Sequence, residues 1–194
     1  MLVGMIGIDE VGRGCWAGPL LVVAMRQTSE IPPHVTDSKL LSKSRREAIF
    51  DELSTYGTYG EGWVTPHEID EIGLSGGMKL GVARALEAIK AQLTEQIIMD
   101  GSVNYCGERF SNVLTVIKAD LHHPCVSAAS IYAKVRRDTF MAEQSSNYPE
   151  YDFASHVGYG TQAHQRALEK YGPSPLHRLS YKPVMVQYEL HRAR

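Results

Sequence analysis

Short apolar runs and helix-like spacings alternate along the chain, and together they predict a mixed sheet with helices. Five apolar runs predict strands over residues 1–8, 20–25, 59–64, 96–99 and 113–118. The first two runs are close enough along the chain to pair as an antiparallel hairpin. Apolar spacing near 3.6 residues and capping residues predict helices over 42–53, 66–72, 75–93, 124–143 and 160–171, with Ser75 as the cap of the third. This order of elements is typical of an α/β protein.

A stretch containing Pro and Gly around residues 147–160 predicts a boundary within the chain. We expect a body over residues 1–146 and a helical C-terminal extension over residues 147–194. The length of 194 residues fits one domain with such an appendage. A Pro-rich loop at Pro173 and Pro175 follows the last predicted helix, and the rest of the extension carries no predicted element.

Composition and charge exclude several classes of protein. Hydrophobic residues make up 43% and charged residues 22%, which excludes a disordered or collagen-like chain. The 3 cysteines form no CxxC pair, so we expect neither a disulfide framework nor a cysteine zinc site. With no signal-peptide pattern and no membrane-spanning run, we expect a cytoplasmic protein that does not act in a membrane. The net charge of −2 gives no indication of nucleic-acid binding, although Lys and Arg outnumber acidic residues after residue 160.

Four carboxylates lie at the ends of predicted strands. Asp9 and Glu10 close the first strand, Asp100 closes the fourth, and Asp120 follows the fifth. If these strand ends meet at one edge of the sheet, the crowded carboxylates repel one another unless cations intervene. Oxygen ligands of this kind suit a pair of Mg²⁺ or Mn²⁺ ions, a recurrent device for phosphoryl displacement. The alternative is that each residue merely ends a strand, and Glu10 joins Asp9 only if the strand bends there.

Gly12-Arg13-Gly14 forms a short loop whose backbone a ligand can approach closely, although an ordinary hairpin turn has the same composition. A dinucleotide-binding fingerprint is rejected, because the glycine spacing is wrong and a strand rather than a helix follows. Tyr159 lies between two glycines and could stack on a sugar or base, but a buried anchor is the commoner role.

Other motifs are weaker. Residues 73–77 match GxSxG, but the charged segment before them predicts a helix rather than the strand that a nucleophile elbow needs. His122 and His123 are expected to be loop histidines, since no zinc-type spacing accompanies them. Lys39 is a possible phosphate contact within a common helix lead-in. The basic residues Lys134, Arg136 and Arg137 are expected to face solvent or phosphates.

Several of these motifs together resemble the ribonuclease HII family. The first motif is Gly7-Ile8-Asp9-Glu10-Val11-Gly12-Arg13-Gly14, followed by Ala17-Gly18-Pro19. In order along the chain come Asp37-Ser38-Lys39-Leu40, Asp100-Gly101, Lys118-Ala119-Asp120, Ser127-Ala128-Ala129-Ser130-Ile131, Ala133-Lys134, Arg137-Asp138, Gly158-Tyr159-Gly160-Thr161 and His177-Arg178. The resemblance covers nearly the whole chain. The sequence departs from the family pattern at Cys15-Trp16 and at His122-His123-Pro124-Cys125.

The resemblance implies a ribonuclease H-like mixed five-stranded sheet flanked by helices, with the helical extension packed on the catalytic body and helping to bind substrate. It implies cleavage of RNA in RNA–DNA hybrids and incision 5′ to single ribonucleotides in duplex DNA, leaving a 3′-hydroxyl and a 5′-phosphate. It assigns two Mg²⁺ or Mn²⁺ ions to Asp9, Glu10, Asp100 and Asp120. It assigns recognition of the 2′-hydroxyl to Gly12, Arg13, Gly14 and Tyr159, with Lys39 as a phosphate contact.

From these observations we expect a monomeric ribonuclease with no obligate protein partner. Two other functions remain open at this point. One is another two-metal nuclease or recombinase on the same fold, because a fold does not fix the substrate. The other is a non-catalytic module that binds nucleic acid, which the four carboxylates argue against, because they would repel phosphates.

Overall fold

A mixed five-stranded sheet organises the chain in this computed structural model, which describes residues 4–36 and 41–193. The strands are β1 (Ile6–Val11), β2 (Leu20–Gln27), β3 (Gly57–Val64), β4 (Ile97–Asp100) and β5 (Val113–Val116), in the spatial order β3-β2-β1-β4-β5. β1 is antiparallel to β2 and parallel to β4, and β4 is parallel to β5. The predicted hairpin and the predicted mixed sheet with flanking helices are therefore confirmed.

The register of the parallel strands decides where the acidic residues emerge. Ile8 of β1 lies opposite Met99 of β4. The next residue on each strand is acidic, Asp9 on β1 and Asp100 on β4. Because parallel strands run the same way, both carboxylates come out at the same edge of the sheet.

The helices flank this sheet or follow it in sequence. They are α1 (Lys43–Glu52), α2 (Pro66–Ala88), α3 (Pro124–Gln144), α4 (Phe153–His156), α5 (Gln162–Tyr171) and α6 (Lys182–Arg192). Ser42 caps α1, since its side chain accepts the Arg45 N–H at 3.3 Å. Thr161 caps α5 in the same way, accepting the His164 N–H at 3.2 Å. Both caps satisfy a backbone donor that the helix itself leaves unpaired.

Two helix predictions differ from the structure. The segments predicted at 66–72 and 75–93 form α2, which is broken at Gly73, where φ is 70° and ψ is 167°. Ser75 is therefore not the point where the second part begins, and α2 ends at Ala88 rather than near residue 93. α6 was not predicted as a separate helix, and Pro183 lies in its first turn, where proline is accepted.

The chain divides into two compact units. The first holds residues 4–11, 21–36, 41–63 and 78–135 of the described chain, and its core joins β2 residues Leu21, Val23 and Met25 to the small residues Ala128 and Ala129 of α3. The second holds residues 12–20, 64–77 and 136–193, with a core that includes Met141, Tyr151 and Phe153. No helix in either described unit is long and apolar enough to cross a membrane. The three cysteines are free thiols.

Candidate active site

Asp9 lies inside β1 and is buried, with 7% of its surface exposed. The Glu10 N–H donates to Asp9 Oδ1 at 2.7 Å. The prediction that Asp9 and Glu10 close the strand is wrong, because β1 continues to Val11. Strand β2 still pairs with this last part of β1, with Val22 opposite Glu10 and Leu21 opposite Val11.

Burial and neighbouring charges control the ionisation of Asp9. Desolvation raises the pKa of its carboxyl well above the ordinary value, and the negative charges of Glu10 and Asp100 raise it further. The Ser130 side chain on α3 acts in the opposite direction, because its hydrogen bond to the carboxylate favours the charged form. Asp9 is thus a buried acid whose charged form needs positive charge or hydrogen-bond donors nearby.

Asp100 is tied to the segment that carries Asp120. The Ala119 N–H donates to Asp100 Oδ1 at 2.7 Å, and the Gly101 N–H donates to the Val116 carbonyl at 2.9 Å. After β5 the chain turns at Lys118, whose φ is 58°, into a short 3₁₀ turn at Ala119–Leu121. Asp120 lies in this turn with 2% of its surface exposed. Its carbonyl accepts the Ser127 hydroxyl at 2.6 Å, which anchors the turn to the start of α3.

The donor set fits a hard divalent cation. All four predicted ligands are carboxylates, and the negative charges of Glu10 and Asp100 act on the buried Asp9 carboxyl and raise its pKa further. Across residues 4–36 and 41–193, no three His, Cys, Asp or Glu side chains form a group that could hold a metal ion as they stand. The structure therefore brings Asp9, Glu10 and Asp100 into electrostatic contact and links Asp120 to Asp100 through Ala119.

The glycine loop 12–14 belongs to the second unit, and its two glycines differ. Gly12 is buried with φ of 94°, and a Cβ there would lie 2.4 Å from Nε of Arg137. Only glycine fits that position. Gly14 is exposed, and a Cβ there would meet nothing within 4 Å. Packing within the protein therefore gives no reason for glycine at position 14, which leaves its backbone open to a ligand.

Two buried arginines hold the segment that contains this loop, and the sequence reasoning missed their role. Arg178 donates from Nε and Nη2 to the Gly18 carbonyl at 3.0 and 2.9 Å, and from Nη1 to the Arg13 carbonyl at 3.0 Å. Arg137 donates to the carbonyls of Pro19 at 2.8 Å and Ala17 at 3.1 Å. The prediction that Arg137 faces solvent or phosphates is wrong, since both arginines are fully buried. Burial lowers the pKa of Arg178.

Tyr159 lies on the surface of the second unit with 40% of its area exposed, rather than as a buried anchor. Its loop is fixed by the residues that depart from the family pattern. The Trp16 N–H donates to the Gly158 carbonyl at 2.9 Å, and a Cβ at Gly160 would lie 2.2 Å from the Trp16 ring. Partial burial and the neighbouring Cys15 raise the pKa of the Tyr159 hydroxyl, so this hydroxyl remains protonated at neutral pH.

Three further sequence predictions concern Lys39, the GxSxG match and His122. Lys39 falls outside the described residues. The GxSxG match at residues 73–77 lies within α2, so the strand that a nucleophile elbow needs is missing before it. His122 is exposed at the end of the 3₁₀ turn, in keeping with a loop residue.

Solved structures with the same architecture define the class of protein. The chain is similar to the ribonuclease H2 of Pyrococcus horikoshii OT3, with a TM-score of 0.77, 26% identity, and coverage of 98% of this chain and 99% of that one. It is also similar to the RNase HII of Archaeoglobus fulgidus, solved as a PCNA complex, with a TM-score of 0.76, 26% identity, and coverage of 92% and 95%. The fold is therefore that of the type 2 ribonucleases H.

Sequence comparison narrows this class to a family. The model of the family described as Ribonuclease HII matches residues 6–184. The Ribonuclease HII of Streptomyces avermitilis is 43% identical over 177 residues, which cover 90% of this chain and 75% of that protein. The chain belongs to the ribonuclease HII family. Membership implies endonucleolytic cleavage of RNA in RNA–DNA hybrids and dependence on divalent metal ions.

Proposed function

We propose that the protein, beyond acting on hybrids, incises duplex DNA on the 5′ side of a single embedded ribonucleotide and leaves a 3′-hydroxyl and a 5′-phosphate. The open space over the backbone of Gly14 supports the ribonucleotide selectivity in this proposal, and the burial of Asp9 beside the negative charges of Glu10 and Asp100 supports its metal dependence. Crowded and buried carboxylates of this kind raise the free energy of the folded state unless cations offset their charge. They lie near the edge of the sheet where β1 and β4 end.

Asp9, Glu10, Asp100 and Asp120 would hold two Mg²⁺ or Mn²⁺ ions. Ions at these carboxylates would supply the positive charge that lowers the pKa of an attacking water and stabilises the leaving 3′-oxygen.

Hydrogen bonds from neighbouring groups favour the ionised form of these carboxylates or orient them as cation ligands. Ser130 favours the ionised form of Asp9, which is the form that binds a cation. The Ala119 N–H donates to Oδ1 of Asp100, and no other group in residues 4–36 and 41–193 donates a hydrogen bond to this carboxylate. The Ser127 hydroxyl holds the turn that presents Asp120. These hydrogen bonds orient ligands as outer-shell partners do in other metal sites.

Recognition of the ribonucleotide is assigned to the backbone of Gly12, Arg13 and Gly14 and to the hydroxyl of Tyr159. The open space over Gly14 supports this assignment, because a 2′-hydroxyl can approach the backbone there. The exposed ring of Tyr159 supports stacking on the adjacent sugar. The 2′-hydroxyl is the group by which a protein distinguishes RNA from DNA. Lys39 remains a proposed phosphate contact.

The proposal extends to the division of the chain into domains, its oligomeric state and its localisation. Residues 1–146 would form the catalytic body, and residues 147–194 would form an extension that helps bind substrate. We propose a cytoplasmic monomer without an obligate protein partner, although the Archaeoglobus relative was solved with PCNA. Size-exclusion chromatography at micromolar concentration tests the monomer, which a dimer mass would contradict.

The deciding experiment uses a labelled DNA duplex that carries one ribonucleotide, beside an all-DNA duplex, with and without Mg²⁺ or Mn²⁺. We expect one metal-dependent nick 5′ to the ribonucleotide and an intact DNA control. Cutting of both duplexes would indicate a general nuclease on this fold. Binding without cutting of either would indicate a module that only binds nucleic acid.

A further inference from the structure

Three buried histidines form a cluster in the second unit that the proposed chemistry does not use. His156 is on α4, His164 is on α5, and His177 lies in the loop before α6, and they expose 6%, 0% and 2% of their surfaces. The rings of His156 and His164 stack with centroids 4.4 Å apart. Nε2 of His164 lies 2.9 Å from Nε2 of His177. A hydrogen bond between two imidazoles requires one to donate and the other to accept.

Fixed backbone donors decide which histidine donates. The Ser174 N–H donates to Nδ1 of His177 at 2.9 Å, so that nitrogen carries no proton. Neutral His177 therefore carries its proton on Nε2 and donates it to Nε2 of His164. His164 must then be protonated on Nδ1, which lies 3.0 Å from the Tyr159 carbonyl. The hydrogen bonds run in one direction, from Ser174 through His177 and His164 to Tyr159.

This chain of hydrogen bonds ends on the backbone of Tyr159. The Tyr159 carbonyl accepts both the His164 Nδ1–H and the Thr161 N–H, the latter at 2.8 Å. The Tyr159 N–H donates to the His156 carbonyl at 2.9 Å. Both backbone groups of Tyr159 are thus fixed by a histidine. The His164 ring bonds to the carbonyl of Tyr159, and the His156 carbonyl accepts its N–H.

His156 has its own fixed tautomer. The Gly158 N–H donates to its Nδ1 at 3.2 Å, so its Nε2–H donates to the Tyr151 carbonyl at 2.7 Å. A proton added to His164 would place two N–H groups face to face at the Nε2 contact, and a proton added to His177 would place its Nδ1–H against the Ser174 N–H. The cluster therefore holds together only while both of these rings are neutral.

We propose that His164, held in its Nδ1–H tautomer by His177, is a positioning residue that fixes Tyr159 for recognition of the ribonucleotide. The inference rests on the proposed function, because it matters for cleavage only if Tyr159 contacts the 2′-hydroxyl. Burial supports it by lowering the pKa of His164 to about 4 and that of His177 to about 3, so both rings are neutral at physiological pH.

Two substitutions at His164 separate its two contacts. His164→Asn places an amide near the position of Nδ1 and can still donate to Tyr159, whereas His164→Gln places its amide near Nε2 and retains only the contact with His177. We expect cleavage at a single ribonucleotide to fall about tenfold or more in His164→Gln and less in His164→Asn. His67→Gln is the matched control, because the His67 side chain is exposed. Equal losses in both variants would overturn the proposal.

A double-variant comparison shows whether the histidine acts through Tyr159. If it does, His164→Gln adds no further loss to Tyr159→Ala, whereas a general loss of structure makes the effects add. A Tyr159→Ala protein with full activity would contradict the proposed function instead, which keeps the two failures distinguishable.

The tautomers themselves are measurable without activity. In the wild-type protein labelled with ¹⁵N, long-range nitrogen–proton spectra distinguish Nδ1–H from Nε2–H imidazoles. We expect His164 as Nδ1–H and His177 as Nε2–H at pH 7. The opposite assignment, or an imidazolium at either residue, would overturn the proposal even if every variant failed to fold.

Discussion

The backbone N–H of Ala119 donates to Oδ1 of Asp100 at 2.7 Å, across the end of the parallel pair β4 and β5. This one bond joins a strand-end carboxylate to the turn that carries Asp120. It also assigns different tasks to the two oxygens of Asp100, since one is held by the protein and the other is available. The acidic edge is therefore partly organised before any cation binds.

Asp100→Asn tests whether the two oxygens of Asp100 have these different roles. Asparagine keeps an oxygen that accepts the Ala119 N–H but removes one negative charge. We expect the cleavage rate to fall about a hundredfold or more, with no loss of melting temperature in metal-free buffer. Asp51→Asn, at an exposed position of α1, is the control. Full activity in Asp100→Asn would contradict its role as a ligand.

Ser130→Ala removes the hydrogen bond that favours ionised Asp9. We expect the Mg²⁺ concentration for half-maximal cleavage to rise about tenfold, because an outer-shell partner of a ligand is lost. The measurement is a metal titration of the initial rate, with Ser146→Ala as an exposed control. A titration curve that superimposes on the wild type would remove Ser130 from the site.

The sequence allowed the sheet, its hairpin and the position of Asp9 and Asp100 at the same edge of the sheet to be predicted, because strands follow local apolar patterns. It did not allow the end of β1 to be predicted, since Glu10 and Val11 stay in the strand only because β2 pairs with them. Pairing between strands is a tertiary effect that composition around Asp9 does not reveal.

Arg137 and Arg178 show a second limit of prediction from the sequence. Their carbonyl acceptors lie between 20 and 165 residues away along the chain, so no local pattern indicates burial. A buried charge normally has an acidic partner, and the sequence offers no signal that carbonyl groups will take that place. The histidine cluster was missed for the same reason, since His164 and His177 meet only in the folded chain.

Gly14→Ala separates recognition from folding. Its φ lies outside the left-handed region and a Cβ meets open space, so we expect the free energy of unfolding to change by no more than about 1 kcal/mol. Cleavage at a single ribonucleotide should fall about tenfold or more, because the methyl group would obstruct a close ligand. Gly12→Ala is the contrast, since strain there should destabilise the fold by about 1–3 kcal/mol. An unchanged rate in Gly14→Ala would place the ligand elsewhere.

Tyr159→Phe and Tyr159→Ala distinguish the hydroxyl from the ring. We expect the loss of the hydroxyl alone to lower cleavage at a single ribonucleotide, and loss of the ring, worth about 1–3 kcal/mol in stacking, to lower it further. The metal dependence should be unchanged in both variants. Tyr171→Phe is the control, since Tyr171 is similarly exposed. Wild-type rates in both variants would remove Tyr159 from recognition.

The buried histidines predict a pH dependence of stability. Their folded pKa values, about 4 for His164 and about 3 for His177, lie below the ordinary value of 6.5. Between pH 6.5 and 4 the unfolded chain binds protons that the folded one does not, so stability falls as pH falls. His164 alone accounts for a difference on the order of 3 kcal/mol.

Urea unfolding at a series of pH values measures this effect. The difference between wild type and His164→Asn isolates the histidine from carboxylates that titrate in the same range. Stability should fall more steeply for the wild type below pH 6.5, with His177 still titrating in the variant. Parallel curves would contradict a neutral buried His164.

Arg137 and Arg178, which hold the segment that contains the glycine loop, have a consequence for the order in which parts of the chain fold. Arg178 reaches back 165 residues to the carbonyl of Arg13. During synthesis the loop leaves the ribosome before Arg137 and well before Arg178. Such distant closure is entropically demanding and comes late in folding. A nascent chain that stops before Arg178 would therefore carry all four carboxylates without the arginine that holds the Arg13 carbonyl, and we expect any selectivity that depends on this loop to appear only after Arg178 has been added.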